Sequence, residues 1–140
     1  MIVYADSSAV LAWLLGEPGS DAAIAALADA ELVVASTLTE LECRRALARG
    51  VALGRLTETE RRAALQLLQD AVRQWTLMAM DGPILDRAGR AYPVEPVHTL
   101  DAIHLAAALA FRDALGEVAV LSTDERIRAN AAELGLGLAA

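Results

Sequence analysis

The sequence contains no lysine: all of its 12 basic residues are arginine. That weighs against a lysine nucleophile, a Schiff base or a phosphate-binding P-loop, each of which needs an ammonium group. Cysteine is nearly absent as well. Cys43 stands alone, which excludes an intrachain disulfide and a cysteine-based zinc site and suits a reducing compartment. Long apolar runs are missing too. The longest uncharged stretches, 7–16 and 102–111, are about half the ~20 residues a membrane span needs. Met1-Ile2-Val3-Tyr4-Ala5-Asp6 has no basic segment before its apolar run, so it does not read as a targeting signal. Together these absences predict a soluble, cytoplasmic protein with no membrane partner.

Acid is what the chain has in excess. Nineteen Asp and Glu give a net charge of −7. Such a balance argues against a nucleic-acid partner, because phosphate binding needs positive charge. The argument reverses if several acids hold a cation, which then supplies that charge. At 140 residues the chain is one domain's length, and 56% hydrophobic against 22% charged residues excludes disorder. Residues 1–140 are expected to form a single domain.

Short apolar runs alternate with longer helical ones. Strands are predicted at 2–5, 32–35, 75–80 and 118–121, with a short fifth at 136–138. Helices are predicted at 7–15, 20–28, 37–49, 58–74, 83–91, 99–111 and 124–134. Thr57-Glu58-Thr59-Glu60 is a capping box, and Gly16, Gly50 and Gly135 are stop signals. Strands with little polar alternation, each followed by helices, indicate a three-layer α/β/α sandwich around a central parallel sheet of four to five strands.

Four acids fall near the carboxyl ends of these strands. Asp6 follows the first, Glu42 opens the helix after the second, Asp101 lies in the first turn of the apolar helix at 99–111, and Asp124 follows the fourth. In an open parallel sheet that edge is where ligands bind. Each acid also has a purely structural use. Asp6 and Asp124 suit helix N-caps, and Asp101 complements a helix dipole. Glu42 can pair with Arg45 or Arg49 on its own helix. Glu40 and Glu42 point about 200° apart, so both cannot line one site; Glu40 has capping-box spacing from Thr37, which favours Glu42. Taken jointly, four carboxylates at one edge repel one another unless divalent cations lie between them. Oxygen-only ligands suit Mg²⁺ or Mn²⁺, and such ions serve phosphodiester displacement.

Tyr4-Ala5-Asp6-Ser7-Ser8-Ala9-Val10, Ser36-Thr37-Leu38-Thr39-Glu40-Leu41-Glu42-Cys43-Arg44-Arg45-Ala46-Leu47, Leu100-Asp101-Ala102-Ile103-His104-Leu105-Ala106 and Ser122-Thr123-Asp124-Glu125-Arg126 together resemble the PIN-domain ribonucleases, and among them the VapC toxins of VapBC toxin–antitoxin pairs. The resemblance spans nearly the whole chain. It implies an α/β/α sandwich whose acids, Asp6, Glu42, Asp101 and Asp124, are catalytic and bind Mg²⁺ or Mn²⁺ to activate water for RNA cleavage. It also implies RNA as substrate, a VapB-like antitoxin as partner, and a homodimer. Ser7 and Thr123 are expected to assist the ligands. The sequence departs from the family at His98, where many relatives carry Arg. His104 is not made a ligand by the resemblance, and its apolar neighbours favour a packed helical histidine.

Other features divide between surface and core. Trp13, Leu14, Leu15, Ile24 and Leu27 suit either a groove for an antitoxin helix or a dimer face, or ordinary packing, which is preferred. Arg44, Arg45 and Arg49 suit RNA phosphates or a solvated helix face. Rival functions are a haloacid-dehalogenase-like phosphatase, a PIN ribonuclease of RNA maturation, and a non-catalytic PIN-like module. The phosphatase wants a second Asp where this chain has Ser8, and a lysine it lacks.

Overall fold

A computed structural model describes residues 1–140. Five parallel strands, β1 (Ile2–Ala5), β2 (Leu32–Ser36), β3 (Thr76–Met78), β4 (Val118–Leu121) and β5 (Gly137–Leu138), form one sheet in the order β3-β2-β1-β4-β5. The chain winds outward from β1 to one side, then returns to build the other. β1 is therefore the central strand, and the switch of direction falls between β1 and β4.

Alternate residues of the strands feed two cores, as the two-residue period of a strand requires. Tyr4, Val34 and Val120 pack with Leu105, Leu109, Phe111 and Ile127, from α6 (Thr99–Leu115) and α7 (Glu125–Glu133). On the opposite face Ala5 and Val33 pack with Val10, Cys43 and Leu68, while Val3 and Leu121 pack with Ala9 and Ala23. Those partners come from α1 (Ser7–Leu15), α2 (Ser20–Asp29), α3 (Thr37–Ala52) and α4 (Glu58–Val72). The short α5 (Gly82–Ala88) adds Ile84 to a smaller cluster with Leu38, Ile103 and Ala106. The three-layer expectation holds, with five strands and seven helices.

Several boundaries differ from the sequence expectation. β3 keeps only three of the six residues predicted, since its β2 partners end at Ser36. α6 runs four residues past Phe111, stopping before Gly116 at φ 99°. α3 does not stop at Gly50. A Cβ there would lie 2.8 Å from a Leu56 methyl, so this glycine serves a close approach inside the helix rather than its end. The capping box at Thr57 and Glu60 forms as expected. The one suggested for Thr37 and Glu40 does not: Ser36 holds the N-cap position and accepts from the Leu38 amide at 2.9 Å, leaving Thr37 as the first helical residue.

Trp13 and Leu27 pack under α1 and α2, whereas Ile24 is 46% exposed. Together with Leu67 and Trp75 they line a shallow apolar groove of about 380 Å³. Arg44, Arg45 and Arg49 lie exposed and unpaired, so the alternative use of Glu42, pairing with Arg45 or Arg49, does not occur. No single helix is long and apolar enough to cross a membrane.

Candidate active site

The register of the sheet sets out the site. Ala5 pairs with Leu121, and the ladder continues with the Asp6 amide donating to the Leu121 carbonyl at 3.1 Å. Asp6 and Ser122 thus become neighbours at the carboxyl ends of β1 and β4, beside the topological switch where open α/β sheets bind ligands. Asp6 is 1% exposed. It caps α1, as one reading of the sequence allows: its Oδ1 accepts from the Ser8 and Ala9 amides and the Ser8 hydroxyl. Its Oδ2 accepts from Ser122 Oγ at 2.5 Å. A buried carboxylate needs such donors, because an unpaired one is costly to hold away from water.

Asp124 plays the same double part. It caps α7 through Oδ1, which accepts from the Arg126 and Ile127 amides. Its own amide donates to Ser122 Oγ at 3.0 Å. One buried hydroxyl therefore bridges Asp6 and Asp124. Ser8 joins them, accepting from the Thr123 amide at 2.9 Å.

Glu42 reaches the same edge from α3, whose first turn is fastened to β1 by Thr39 Oγ1 donating to the Ala5 carbonyl at 3.0 Å. Glu42 Oε1 accepts from Ser7 Oγ at 3.0 Å and from His104 Nε2 at 2.5 Å. Glu40, on the other side of the helix, makes no hydrogen bond or ion pair, so the capping role offered to it by the sequence is not taken up.

Asp101 projects from the first turn of α6 and accepts no hydrogen bond. The imidazole of His98 lies nearby, with Nδ1 3.8 Å from Oδ2. Burial, then the charge of Asp124, and more weakly that of Asp6, push its carboxyl above the usual carboxylate range, against an opposing pull from His98 and His104. His98 in turn lies against the exposed Arg126 guanidinium, with Nη1 2.5 Å from Nε2.

All four predicted acids stand at one open edge of the sheet, and the five principal cavities lie elsewhere. They do not close into a tight cage: no three Asp, Glu, His or Cys side chains are close enough to share an ion. Asp6, Glu42 and Asp124 are each held by their own donors, and like charges favour such spacing. The donor set nonetheless suits a hard cation. Glu42 Oε2, Asp124 Oδ2 and both oxygens of Asp101 carry no hydrogen bond and are free to bind one. Ser7, expected to assist, does so by holding Glu42. Ser8, Ser122 and the bond from His104 to Glu42 escaped the sequence reading. The signal for His104 was its placement one turn after Asp101, on the same face of α6.

An α/β/α sandwich with an acid-lined switch point defines the class. A family model for the PIN domain matches residues 3–133. Over 139 residues the chain is 35% identical to Ribonuclease VapC46 of Mycobacterium tuberculosis, spanning 99% of this chain and 96% of that protein. The chain belongs to the PIN-domain family, in its VapC branch. Among solved structures it resembles VapBC2 from Rickettsia felis bound to a promoter DNA fragment, with TM-score 0.59, 10% identity and coverage of 99% and 97% of the two chains. It also resembles PAE2754 from Pyrobaculum aerophilum, with TM-score 0.58, 20% identity and coverage of 93% and 87%. These two likenesses speak to the fold.

Proposed function

We propose that the protein is a Mg²⁺- or Mn²⁺-dependent endoribonuclease, the toxin of a VapBC-type pair, acting in the cytoplasm as a single domain over 1–140. The observation that carries this is the gathering of Asp6, Glu42, Asp101 and Asp124 at the β1/β4 switch point, three of them presenting unbonded oxygens. The 35% identity to a VapC ribonuclease supports it. Those four acids are the proposed ligands, and a bound cation would draw together side chains of which no three yet stand close enough to share an ion. Bound there, it would supply the positive charge that phosphodiester hydrolysis needs and lower the pKa of the attacking water.

The chain's own groups do the rest. Ser122 and Ser8 hold Asp6, the α7 amides orient Asp124, and Ser7 and His104 fix Glu42. Arg126, beside His98 at the rim, is placed to meet a substrate phosphate. The open edge suits a polymer, which can lie across it. RNA is the substrate we infer, and a VapB-like antitoxin is the partner. A second copy of the chain would complete a homodimer, and the groove of Trp13, Ile24, Leu27, Leu67 and Trp75 offers apolar surface for such contacts.

The test is cleavage of total cellular RNA by purified protein, wild type against Asp101→Asn, with Mn²⁺ or with EDTA. Discrete fragments that need the metal and vanish in the variant are expected. A folded wild type that neither cleaves RNA nor binds Mn²⁺ would leave a PIN-like binding module instead.

A further inference from the structure

Glu42 has a problem of placement. It projects from α3 with its side chain 23% exposed, and no arginine of its own helix restrains it. A glutamate so placed samples several rotamers and loses that freedom only if something fixes it. The structure supplies that restraint from two other elements.

His104 comes from α6, 62 residues further along the chain. Its side chain is 2% exposed and its Nε2 lies 2.5 Å from Glu42 Oε1. A carboxylate only accepts, so Nε2 is the donor. The other ring nitrogen, Nδ1, faces Tyr4 Oη at 2.9 Å, and in the neutral Nε2–H tautomer the tyrosine O–H donates to it. Tyr4 is fully buried at the middle of the central strand. Its ring meets the imidazole edge-on at 6.0 Å and lies 6.3 Å from Phe111, so it cannot turn aside without disturbing the larger core. Both nitrogens of His104 are thereby occupied, which leaves no lone pair for a metal ion. The bond from His104 and the bond from Ser7 both fall on Glu42 Oε1, and Oε2 stays open.

We infer that His104 is a positioning residue: a rod from the Tyr4 hydroxyl to Glu42 Oε1 that aims Oε2 at the cation and fixes the second acid relative to the third. The last point follows from helix geometry. His104 lies one turn after Asp101 on the same face of α6, so one element carries the third acid and the clamp on the second. Partners of this kind orient ligands in metal sites, and removing them costs about 10–100-fold in affinity or rate. The inference rests on the proposed role of Glu42 as a ligand.

Two substitutions separate aiming from packing. His104→Gln places an amide N–H where imidazole Nε2 stands and keeps the donor. His104→Asn is one methylene shorter and cannot reach Glu42. Mn²⁺ affinity is measured by calorimetry without RNA, alongside kcat, KM and Tm. The expected result is that Asn weakens Mn²⁺ binding and kcat by about 10–100-fold with KM for RNA little changed, while Gln recovers to within a few-fold of wild type at a similar Tm. Equal Mn²⁺ affinities for Gln and Asn, or losses that follow Tm alone, would overturn the positioning role and leave the nuclease reading intact. Should neither variant fold, Tyr4→Phe removes only the hydroxyl. A several-fold weaker Mn²⁺ affinity then upholds the relay, and an unchanged one overturns it. Wild type that binds no Mn²⁺ overturns the nuclease reading and this inference with it.

Discussion

Asp101 has the least local support of the four acids, and its environment favours the neutral carboxyl. Because its folded pKa lies above the ordinary aspartate range, the native state binds more protons than the unfolded chain between those two values. Stability falls as pH rises through that window and stays lower above it. In EDTA at pH 7, Asp101→Asn is therefore expected to melt at a higher temperature than wild type, and the difference closes as pH drops below about 4. Thermal melts across pH 3–8 check this; a variant less stable at pH 7 contradicts it. Cys43 gives a second residue-scale expectation. Burial, then the charges of Glu42, Asp6 and Glu40, push its thiol up to about 12. The native protein should resist thiol alkylation at pH 8 and react once unfolded, with mass spectrometry as the readout. The acids could be singled out as candidates from residue type and place, Asp6 and Asp124 just after strands and Glu42 and Asp101 near helix starts. Their supports could not be: Ser122 is an ordinary residue until the β1/β4 register brings it to Asp6, and Ser8, which caps locally, meets Ser122 and Thr123 only then.

At the scale of elements, α4 shows how local signals and long-range packing share the work. Its capping box was readable because both partners lie within one turn, with Thr57 and Glu60 bonding each other's amides at 2.9 and 3.1 Å. Thr57→Ala should lower stability by about 1 kcal/mol, measured by urea unfolding. The helix is held down elsewhere, through fully buried Leu68 against Ala5, Val33 and Cys43. Leu68→Ala should cost more, about 2–5 kcal/mol. A larger loss from the cap than from the core would reverse that assignment. α3 is the contrary case: Gly50 reads as a stop, yet the helix continues because Leu56 folds back over it. Propensity gives way there to a contact that the chain makes only once the next loop is in place. β3 shortens for a similar reason, since an edge strand ends where its partner does.

For the whole molecule, the governing fact is an acidic chain that gathers part of its charge at one sheet edge. Cation binding there should raise folded stability by mass action, by about 2.7 kcal/mol when free ion reaches a hundred times its dissociation constant. Mn²⁺ should therefore raise the melting temperature of wild type more than NaCl of equal ionic strength, and the gain should disappear in Asp101→Asn. An equal response to both salts would mean only general screening. The sheet order was not fully legible, because apolar strands announce a parallel sheet but not which neighbours they take.

The central place of β1 bears also on how the protein is made. Asp6 leaves the ribosome more than a hundred residues before its β4 neighbour and Ser122. Asp124 follows later still. Until synthesis has passed that point the four acids belong to separate, unpaired pieces of chain. A nascent molecule therefore lacks this assembled acidic edge until β4 and the residues just after it have been made.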